Sequence, residues 1–447
     1  MKFSLQPFIV CLAIQLLACI TPKAQTISAE GLKSDFQHLR QQLEKTHPGL
    51  YLYTSRERLD FVFDSLMNSF NQSLTDQQFY STICVLQQEI KDGHTLFLPE
   101  IKESNVYLPF QFAFQNNQLY ITRNDNKEIT VSTPALVKSI NGVPTQQIIR
   151  EMRKRLSRDG NSYAYADWVI HTYFRMYYQF FFGSQPRYEV ELETNKVPSK
   201  ILCQGLSMQQ LSTIRPSGPE KQQEKGIEMN FWPKEGYAYL KIKDFHSSNY
   251  RSTYHQHFKK EVKQFFDSVR FQKLDNVILD LRDNQGGDIK NGVELLSYLM
   301  TTPFEMVCSY RKKNWEKTIG PQMGYHQPKK NAFRGQVIVL INGGSFSNSV
   351  IVSKAMKRAN RATFIGSESG GNPYVFSGFA KTIVLPHSKI QVEIPTTVLV
   401  LDQKSMNQST FPNDLLDYPC LQDVQTPVSD LDPCLEKAIQ LAKEKTK

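Results

Sequence analysis

The chain has 447 residues, with 53 basic against 43 acidic side chains for a formal charge of +10. Forty per cent hydrophobic and eleven per cent aromatic content excludes a disordered chain, and the length calls for two or three domains. The basic charge is scattered in short clusters such as Arg153-Lys-Arg155, with no P-loop, zinc knuckle or aromatic-basic repeat, so a solvated surface outweighs nucleic-acid binding.

The amino terminus reads as a targeting segment. Lys2 precedes an apolar stretch, Phe8 to Ile20, that is too short for a spanning helix. Cleavage after Ala24 defines a signal peptide over 1–24; alternatively, Leu16-Leu-Ala-Cys19 is a lipoprotein acceptor, the one route to a membrane. Either way the expected location is periplasmic or extracellular. Five cysteines remain, and Cys420 with Cys434 could close a short loop in an oxidising compartment.

Residues 25–100 predict three helices. Leu32, Phe36, Leu39 and Leu43 form the first apolar stripe; Phe61, Phe63, Leu66 and Phe70 the second; Phe79, Ile83, Val85 and Ile90 the third. Ser73-Leu-Thr-Asp76 is a helix start. His47, before Pro48, reads as structural at a helix stop. Residues 101–212 alternate in short strands, with a basic helix from Thr145 to Leu156 and an aromatic run, Tyr163 to Phe182, that reads as core packing. Residues 213–226 have linker composition. A core over 227–447 opens with strands Ile227 to Trp232 and Gly236 to Ile242, runs through β-α units, and closes with a helix from Leu435 to Lys443. His255 and His257 lie in a polar helical stretch; their i, i+2 spacing does not share a helix face, so no metal pair is expected.

Two segments carry chemistry. Val337-Ile-Val-Leu-Ile341 reads as a buried strand that breaks at Asn342-Gly-Gly-Ser-Phe-Ser-Asn348 and turns at once into a helix. Such a turn lifts a serine, Ser345 or Ser347, clear of the sheet and points free N–H groups at whatever sits there. Nucleophilic acyl transfer needs that pairing, although the spacing is not G-x-S-x-G and the composition also suits an ordinary helix cap. Asp275 to Leu281 is a second buried strand, ending in Arg282-Asp-Asn-Gln-Gly-Gly287 before a helix from Ile289 to Met300. Turns at the carboxyl ends of neighbouring strands are where α/β proteins place ligand sites.

Asp280-Leu-Arg-Asp-Asn-Gln-Gly-Gly287, Asn342 to Asn348 and Phe364-Ile-Gly-Ser-Glu-Ser-Gly-Gly371 are similar in order and spacing to the carboxyl-terminal-processing (tail-specific) serine peptidases and their tricorn-core relatives. Asp92-Gly-His-Thr95 and Leu136-Val-Lys-Ser-Ile-Asn-Gly-Val143 resemble two further motifs of that family. The resemblance implies an α/β fold: a crotonase/ClpP-like β-α core, an N-terminal helical segment and an inserted PDZ-like β-rich domain. It implies Ser347 as nucleophile, with Gly287, Gly286 beside it, and the N–H of Asn348 as oxyanion donors. The tail-specific branch places a basic lysine where this chain has Asn372, so the tricorn pattern fits better, with His94 as base. The orienting acid of that pattern falls in Phe411-Pro-Asn-Asp-Leu-Leu-Asp417, where Asp414 is the nearest carboxylate, and Val350 replaces the acid common three residues after the nucleophile. The implied activity is hydrolysis of extended polypeptide, with no metal or cofactor. A non-catalytic peptide-binding protein on a degenerate scaffold is the alternative. A crotonase-like acyl-thioester enzyme would account for the glycines but not for Ser347.

Overall fold

The structure, a computed structural model, describes residues 26–214, 224–403, 414–421, 424 and 432–444. The expected signal segment and Cys19 lie outside the described residues, as do most of the expected linker and residues 411–413. Among the described residues no helix is long and apolar enough to cross a membrane.

Four helices, not three, open the chain: α1 (Ala29–Thr46), α2 (Arg56–Ser69), α3 (Asp76–Ile83) and α4 (Val85–Ile90). Ser28 caps α1 by accepting the Gly31 N–H, and its stripe of Leu32, Phe36, Leu39 and Leu43 is fully buried. The second stripe differs from expectation. Phe63 and Phe70 are buried as expected, but Phe61 is 64% exposed, and Leu59 and Val62 complete the buried face instead, because the period set by Leu59 puts Phe61 on the far face. Thr75 and Gln78 form a reciprocal capping box at the start of α3. The chain then breaks at Cys84 before α4. Lys91, in the left-handed conformation at φ +57°, ends α4 and turns the backbone into Asp92-Gly-His-Thr95.

The next region forms an antiparallel sheet of β1 (Phe110–Gln115), β2 (Gln118–Asn124), β3 (Ala135–Ile140), β4 (Arg187–Thr194) and β5 (Val197–Gln204). Their order is β5-β4-β3-β2-β1, which leaves β1 at an edge. Helices α5 (Thr145–Arg153) and α6 (Ala164–Phe182) interrupt the strands. The aromatic run is core in part: Phe174, Tyr178, Phe180 and Phe181 on α6 are buried as expected, whereas Tyr163 and Tyr173 are exposed. One apolar cluster runs without a break from α1 through this sheet.

The last region begins with the antiparallel pair β6 (Ile227–Trp232) and β7 (Tyr237–Ile242), then continues in parallel through β8 (Asn276–Asp280), β9 (Gln336–Ile341) and β10 (Thr363–Gly366) to a short strand, Tyr418–Pro419. Strands buried on both faces read as continuous apolar runs, which is what β8 and β9 are. Val277, Leu279, Val337, Val339 and Ile341 pack with helices α7 (Phe258–Phe271), α8 (Ile289–Leu299) and α9 (Asn348–Arg358). Ile278, Ile338 and Leu340 alternate to the other face, under α10 (Pro433–Glu444). The expected Cys420–Cys434 link is present, with Cα atoms 5.6 Å apart, and ties the edge of this sheet to α10. His255 and His257 are exposed, but in a turn before α7 rather than on a helix, because His255 takes φ +51°.

The antiparallel pair β11 (Val375–Val384) and β12 (Gln391–Val400) lies beside this core. The short strand Leu96–Leu98 pairs with the start of β12, Val392 opposite Phe97. That pairing brings the Asp92–Thr95 turn, about 300 residues upstream of β12 in sequence, onto the core.

Candidate active site

The turn after β9 is held by Ser345. Its hydroxyl donates to the Leu281 carbonyl (2.8 Å) and accepts the Asn342 N–H (3.0 Å), and the residue is 1% exposed. Ser345 is thus a buried turn fastener. Ser347, two residues on, is half-buried, and its hydroxyl bonds to no described residue. Its backbone sits at φ +52°, ψ −118°, a region that L-residues avoid and that costs roughly 1–3 kcal/mol. Such strain persists only where the surroundings impose it. Here the Phe346 N–H is held by the Asn284 carbonyl (3.0 Å), and the same carbonyl accepts the Ser349 hydroxyl (2.9 Å). The result is a serine at the N-terminus of α9, turned away from its own helix cap.

The turn after β8 lies against it. A Cβ on Gly286 (φ +93°) would stand 2.6 Å from the Ser347 Cβ and 2.7 Å from the Asn348 nitrogen. A Cβ on Gly287 (φ +128°) would strike His246 and Phe245 backbone at 2.5–2.6 Å. Only glycine fits either position. The N–H of Gly286 is taken by the Asn284 side chain (2.9 Å). Those of Gly287 and Asn348 have no bond to a described residue. Of the three donors expected for an oxyanion, two are therefore free, and they flank Ser347.

His94 reaches the core through stacking. Its ring lies 4.5 Å from Phe346 and 5.4 Å from Phe376, parallel to within 26° and 8°. Phe346, next to Ser347 in the chain, stacks in turn on Tyr165 of α6 at 4.5 Å. Gln285 receives the Tyr165 hydroxyl (3.2 Å) and donates to the Gly344 carbonyl (3.2 Å), so α6 braces both turns. No hydrogen bond joins His94 to Ser347; pairs of this kind are often loose before substrate arrives. Burial, partly offset by Asp92, lowers the His94 pKa to about 4. Its Nδ1 is buried and unpartnered.

Asp92 anchors the turn that carries His94. Its Oδ1 accepts the His94 N–H (2.9 Å) and the Thr95 hydroxyl (3.2 Å). His47 is more than a helix stop. Its Nδ1 accepts the Gly49 N–H, so the neutral ring carries its proton on Nε2 and donates it to Thr95 (2.9 Å). Burial lowers its pKa, which keeps it in that neutral form.

A second carboxylate, absent from the sequence reading, stands beside His94. Asp159, between α5 and α6, is 3% exposed; its Oδ1 accepts the Gly93 N–H (2.6 Å) and its Oδ2 the Asn372 N–H (3.3 Å). Asp92, His94 and Asp159 each present one donor atom within 4.8 Å of the others. These donor types suit a cation, but both carboxylates already receive backbone N–H groups. Desolvation first, then the neighbouring Asp92, push Asp159 up to about 8. An aspartate before glycine in a polar loop reads locally as a turn, so no signal in the sequence singled it out.

Asp414 is placed elsewhere. It accepts the Tyr374 hydroxyl (2.5 Å) and faces Lys354 (3.7 Å), whose ammonium lies over the Tyr374 ring. Nothing joins it to His94. At the lysine position of the tail-specific pattern, the Asn372 side chain accepts the Tyr374 N–H (2.9 Å) and donates to the Tyr53 hydroxyl (3.2 Å). It closes a turn and supplies no base.

Taken together, the core is a parallel α/β sheet with a strained serine and two free N–H donors at the carboxyl ends of adjacent strands, an acyl-transfer arrangement. Residues 236–393 match the model of peptidase family S41, so this stretch is similar to that family. Over 123 residues the chain is 31% identical to a carboxy-terminal-processing protease of Bartonella bacilliformis, covering 28% of this chain and 26% of the relative. Over 147 residues it is 26% identical to a carboxyl-terminal-processing protease of Synechocystis, covering 33% and 31%. The chain thus spans about a third or less of the length of these relatives. Among solved structures, mature CPAF superposes over 93% of this chain and 97% of its own, with TM-score 0.66 at 11% identity. A putative peptidase from Parabacteroides merdae covers 93% and 97%, with TM-score 0.50 at 14% identity. At these identities the likeness is one of fold.

Proposed function

We propose that this chain is a serine endopeptidase acting outside the cytoplasm, hydrolysing extended or unfolded polypeptide through an acyl-enzyme. The observation that carries this reading is Ser347. Its strained backbone carries an unbonded hydroxyl in the turn packed against Gly286, with the N–H groups of Gly287 and Asn348 free and the His94 ring stacked on Phe346. Ser347 Oγ attacks the scissile carbonyl while His94 accepts its proton; the oxyanion forms between the two N–H donors. His94 then returns the proton to the leaving amine, and water repeats the sequence on the acyl-enzyme.

The finer architecture belongs to the same proposal. The core over 227–447 is read as crotonase/ClpP-like, residues 25–100 as its helical segment and 101–212 as a PDZ-like insert. Support for the insert comes from the edge strand β1 with α6 packed along it, a geometry in which a peptide adds as a further strand. A leader over 1–24 accounts for export, with anchoring only through Cys19.

The competing reading, a peptide binder without turnover, draws on Asn372 at the lysine position and on the missing Ser347–His94 hydrogen bond. Incubating the purified chain with a disordered protein, followed by mass spectrometry, separates the two. Cleavage that vanishes in Ser347→Ala supports the enzyme; retention of intact peptide across neutral and alkaline pH overturns it.

A further inference from the structure

The catalytic reading leaves one buried atom unexplained. His94 Nδ1 has no partner, although an imidazole acting as base at Nε2 needs its other nitrogen protonated and held. The acid expected for this, Asp414, is engaged by Tyr374 and Lys354 and has no contact with His94. Two carboxylates do lie within 4.8 Å of the ring. They are not equivalent. Asp92 Oδ1 is spent on the His94 N–H and the Thr95 hydroxyl, and its Oδ2 faces His47 at 3.7 Å. It fixes the backbone that carries the base. Asp159 has one short bond, from Gly93, and one long one, from Asn372, which leaves lone pairs free on Oδ2.

The loop carrying Asp159 is built to hold that side chain here. The Gly160 N–H bonds to the Lys91 carbonyl (2.9 Å), a second stitch beside the Asp159–Gly93 bond. A Cβ at Gly93 would lie 2.9 Å from Asp159 Oδ1 and 2.7 Å from the Phe346 ring, so this glycine makes room for both the carboxylate and the ring under His94. Asp159 forms no ion pair among the described residues. Lys91 Nζ bonds to Asn161 (3.1 Å), and the Arg158 guanidinium to the Asn161 and Gln88 carbonyls (3.2 and 3.5 Å). The titratable groups that face Asp159 are Asp92, His94, Tyr53 and Tyr165, with His47 behind Asp92. A buried acid with no cation beside it is either a neutral structural group or the partner of a group that becomes cationic.

We propose that Asp159 is the positioning carboxylate of His94, accepting its Nδ1–H and stabilising the imidazolium that forms when Ser347 gives up its proton. The inference rests on the peptidase reading and deepens it. The nucleophile then comes from the core, the base from the N-terminal helical region and the acid from the inserted region, so the triad is complete only when all three pack together. Closing the hydrogen bond requires the ring or the carboxylate to turn, from ligand atoms that lie within 4.8 Å of each other. The raised pKa of Asp159, about 8, adds a signature. His94 is already neutral above about 4, so the alkaline-going rise in activity follows Asp159, and the cluster titrates as a unit.

The test compares Asp159→Asn, Asp92→Asn and Asp414→Asn by kcat and KM from pH 5 to 10. It also records the ¹⁵N signals of the His94 ring in a Ser347→Ala background. Asn at 159 keeps the shape and the Gly93 bond but cannot hold an imidazolium. The expected result is a kcat loss of ~10²-fold or more in Asp159→Asn. KM should stay within about threefold, the rise near pH 8 should vanish, and the Nδ1–H tautomer should give way to a mixture. Unchanged kcat and tautomer in Asp159→Asn would overturn the inference, as would the same loss and tautomer change produced by Asp414→Asn alone. If His94→Ala proves fully active, the base assignment falls, whereas the ring signals still decide whether Asp159 holds His94. Should Asp159→Asn melt below the assay temperature, Asp159→Ser, which keeps an acceptor in less volume, gives the same readouts.

Discussion

The turns after β8 and β9 meet the same geometric demand with opposite side chains. Both leave a buried parallel strand, both enter a helix within a few residues, and both need positive φ at the point of closest approach. After β8, Gly286 and Gly287 supply it at no strain; a Cβ on Gly286 would collide with the other turn, and one on Gly287 with the Phe245–His246 backbone. After β9, Ser347 supplies it under strain, and its hydroxyl is the group left exposed. The glycine turn is cleared of side chains so that it can offer N–H donors; the serine turn accepts strain in order to present one side chain. The difference teaches that positive φ alone does not mark a candidate nucleophile, since Lys91 and His255 share it; Ser347 stands out because its strained turn also carries a hydroxyl with no partner among the described residues.

The largest effect that could break this comparison comes from Ser347. Ser347→Ala should remove peptide hydrolysis by a factor on the order of 10³ or more, with no loss of melting temperature, since the hydroxyl caps nothing. Ser347→Gly should be equally inactive and melt higher, because glycine relieves the strain at φ +52°. A Ser347→Gly variant less stable than the parent would show that the serine turn is unstrained.

Gly286→Ala tests the other side. Its Cβ would press on Ser347 and the Asn348 nitrogen, so kcat should fall on the order of 10²-fold with lowered stability. Near-normal kcat would mean that the glycine turn is not the oxyanion wall.

Ser345→Ala should invert the pattern seen at Ser347. It strips the Ser345 partner from the Asn342 N–H and leaves the Leu281 carbonyl only the Asn284 N–H, and should cost about 1–3 kcal/mol in denaturant unfolding, while most activity survives at low temperature. Equal activity loss from Ser345→Ala and Ser347→Ala would collapse the distinction between fastener and nucleophile.

A smaller effect concerns the acid packed behind the serine turn. Asp159 has its ordinary pKa of 3.8 raised to about 8, so between these values the folded chain holds a proton that the unfolded chain has lost. Its contribution to stability is full below the lower value and fades as pH rises through the upper one. Thermal melts should therefore show Asp159→Asn gaining on the parent as pH climbs from 4 to 8, then levelling. His94 runs the other way. With its pKa lowered to about 4, the folded state loses ground as pH falls from 6.5 toward 4. A difference between parent and Asp159→Asn that does not change with pH would remove the case for a neutral Asp159.

Much of this site was legible in the residues. The apolar runs of β8 and β9, each followed by glycines and helical spacing, fixed two strand–turn–helix corners, because burial on both faces leaves a composition that few other elements share. The resemblance then separated Ser347 from Ser345 as an expectation. The structure gives the physical reason, since Ser345 spends both its donor and an acceptor inside the turn. Local pattern was weaker on face and continuity. The stripe through Phe61 failed because a 14-residue helix admits more than one apolar register, and only packing against α1 and α4 chose Leu59 and Val62.

What the sequence determined by itself was whatever depends on neighbours along the chain: the buried strands, the glycine turns, the helix caps and the serine at the corner. Tertiary structure decided which distant groups meet there. His94 reaches the core only because Leu96–Leu98 pairs with β12, and Asp159 only because a loop between α5 and α6 is stitched to Lys91 and Gly93. An isolated aspartate carries no periodicity and no motif, and its raised pKa arises from burial and from Asp92, which is 67 residues away in sequence. Charge, solvation and partner are properties of the folded neighbourhood, which is why the resemblance pointed to Asp414 while the fold sets Asp159 beside His94.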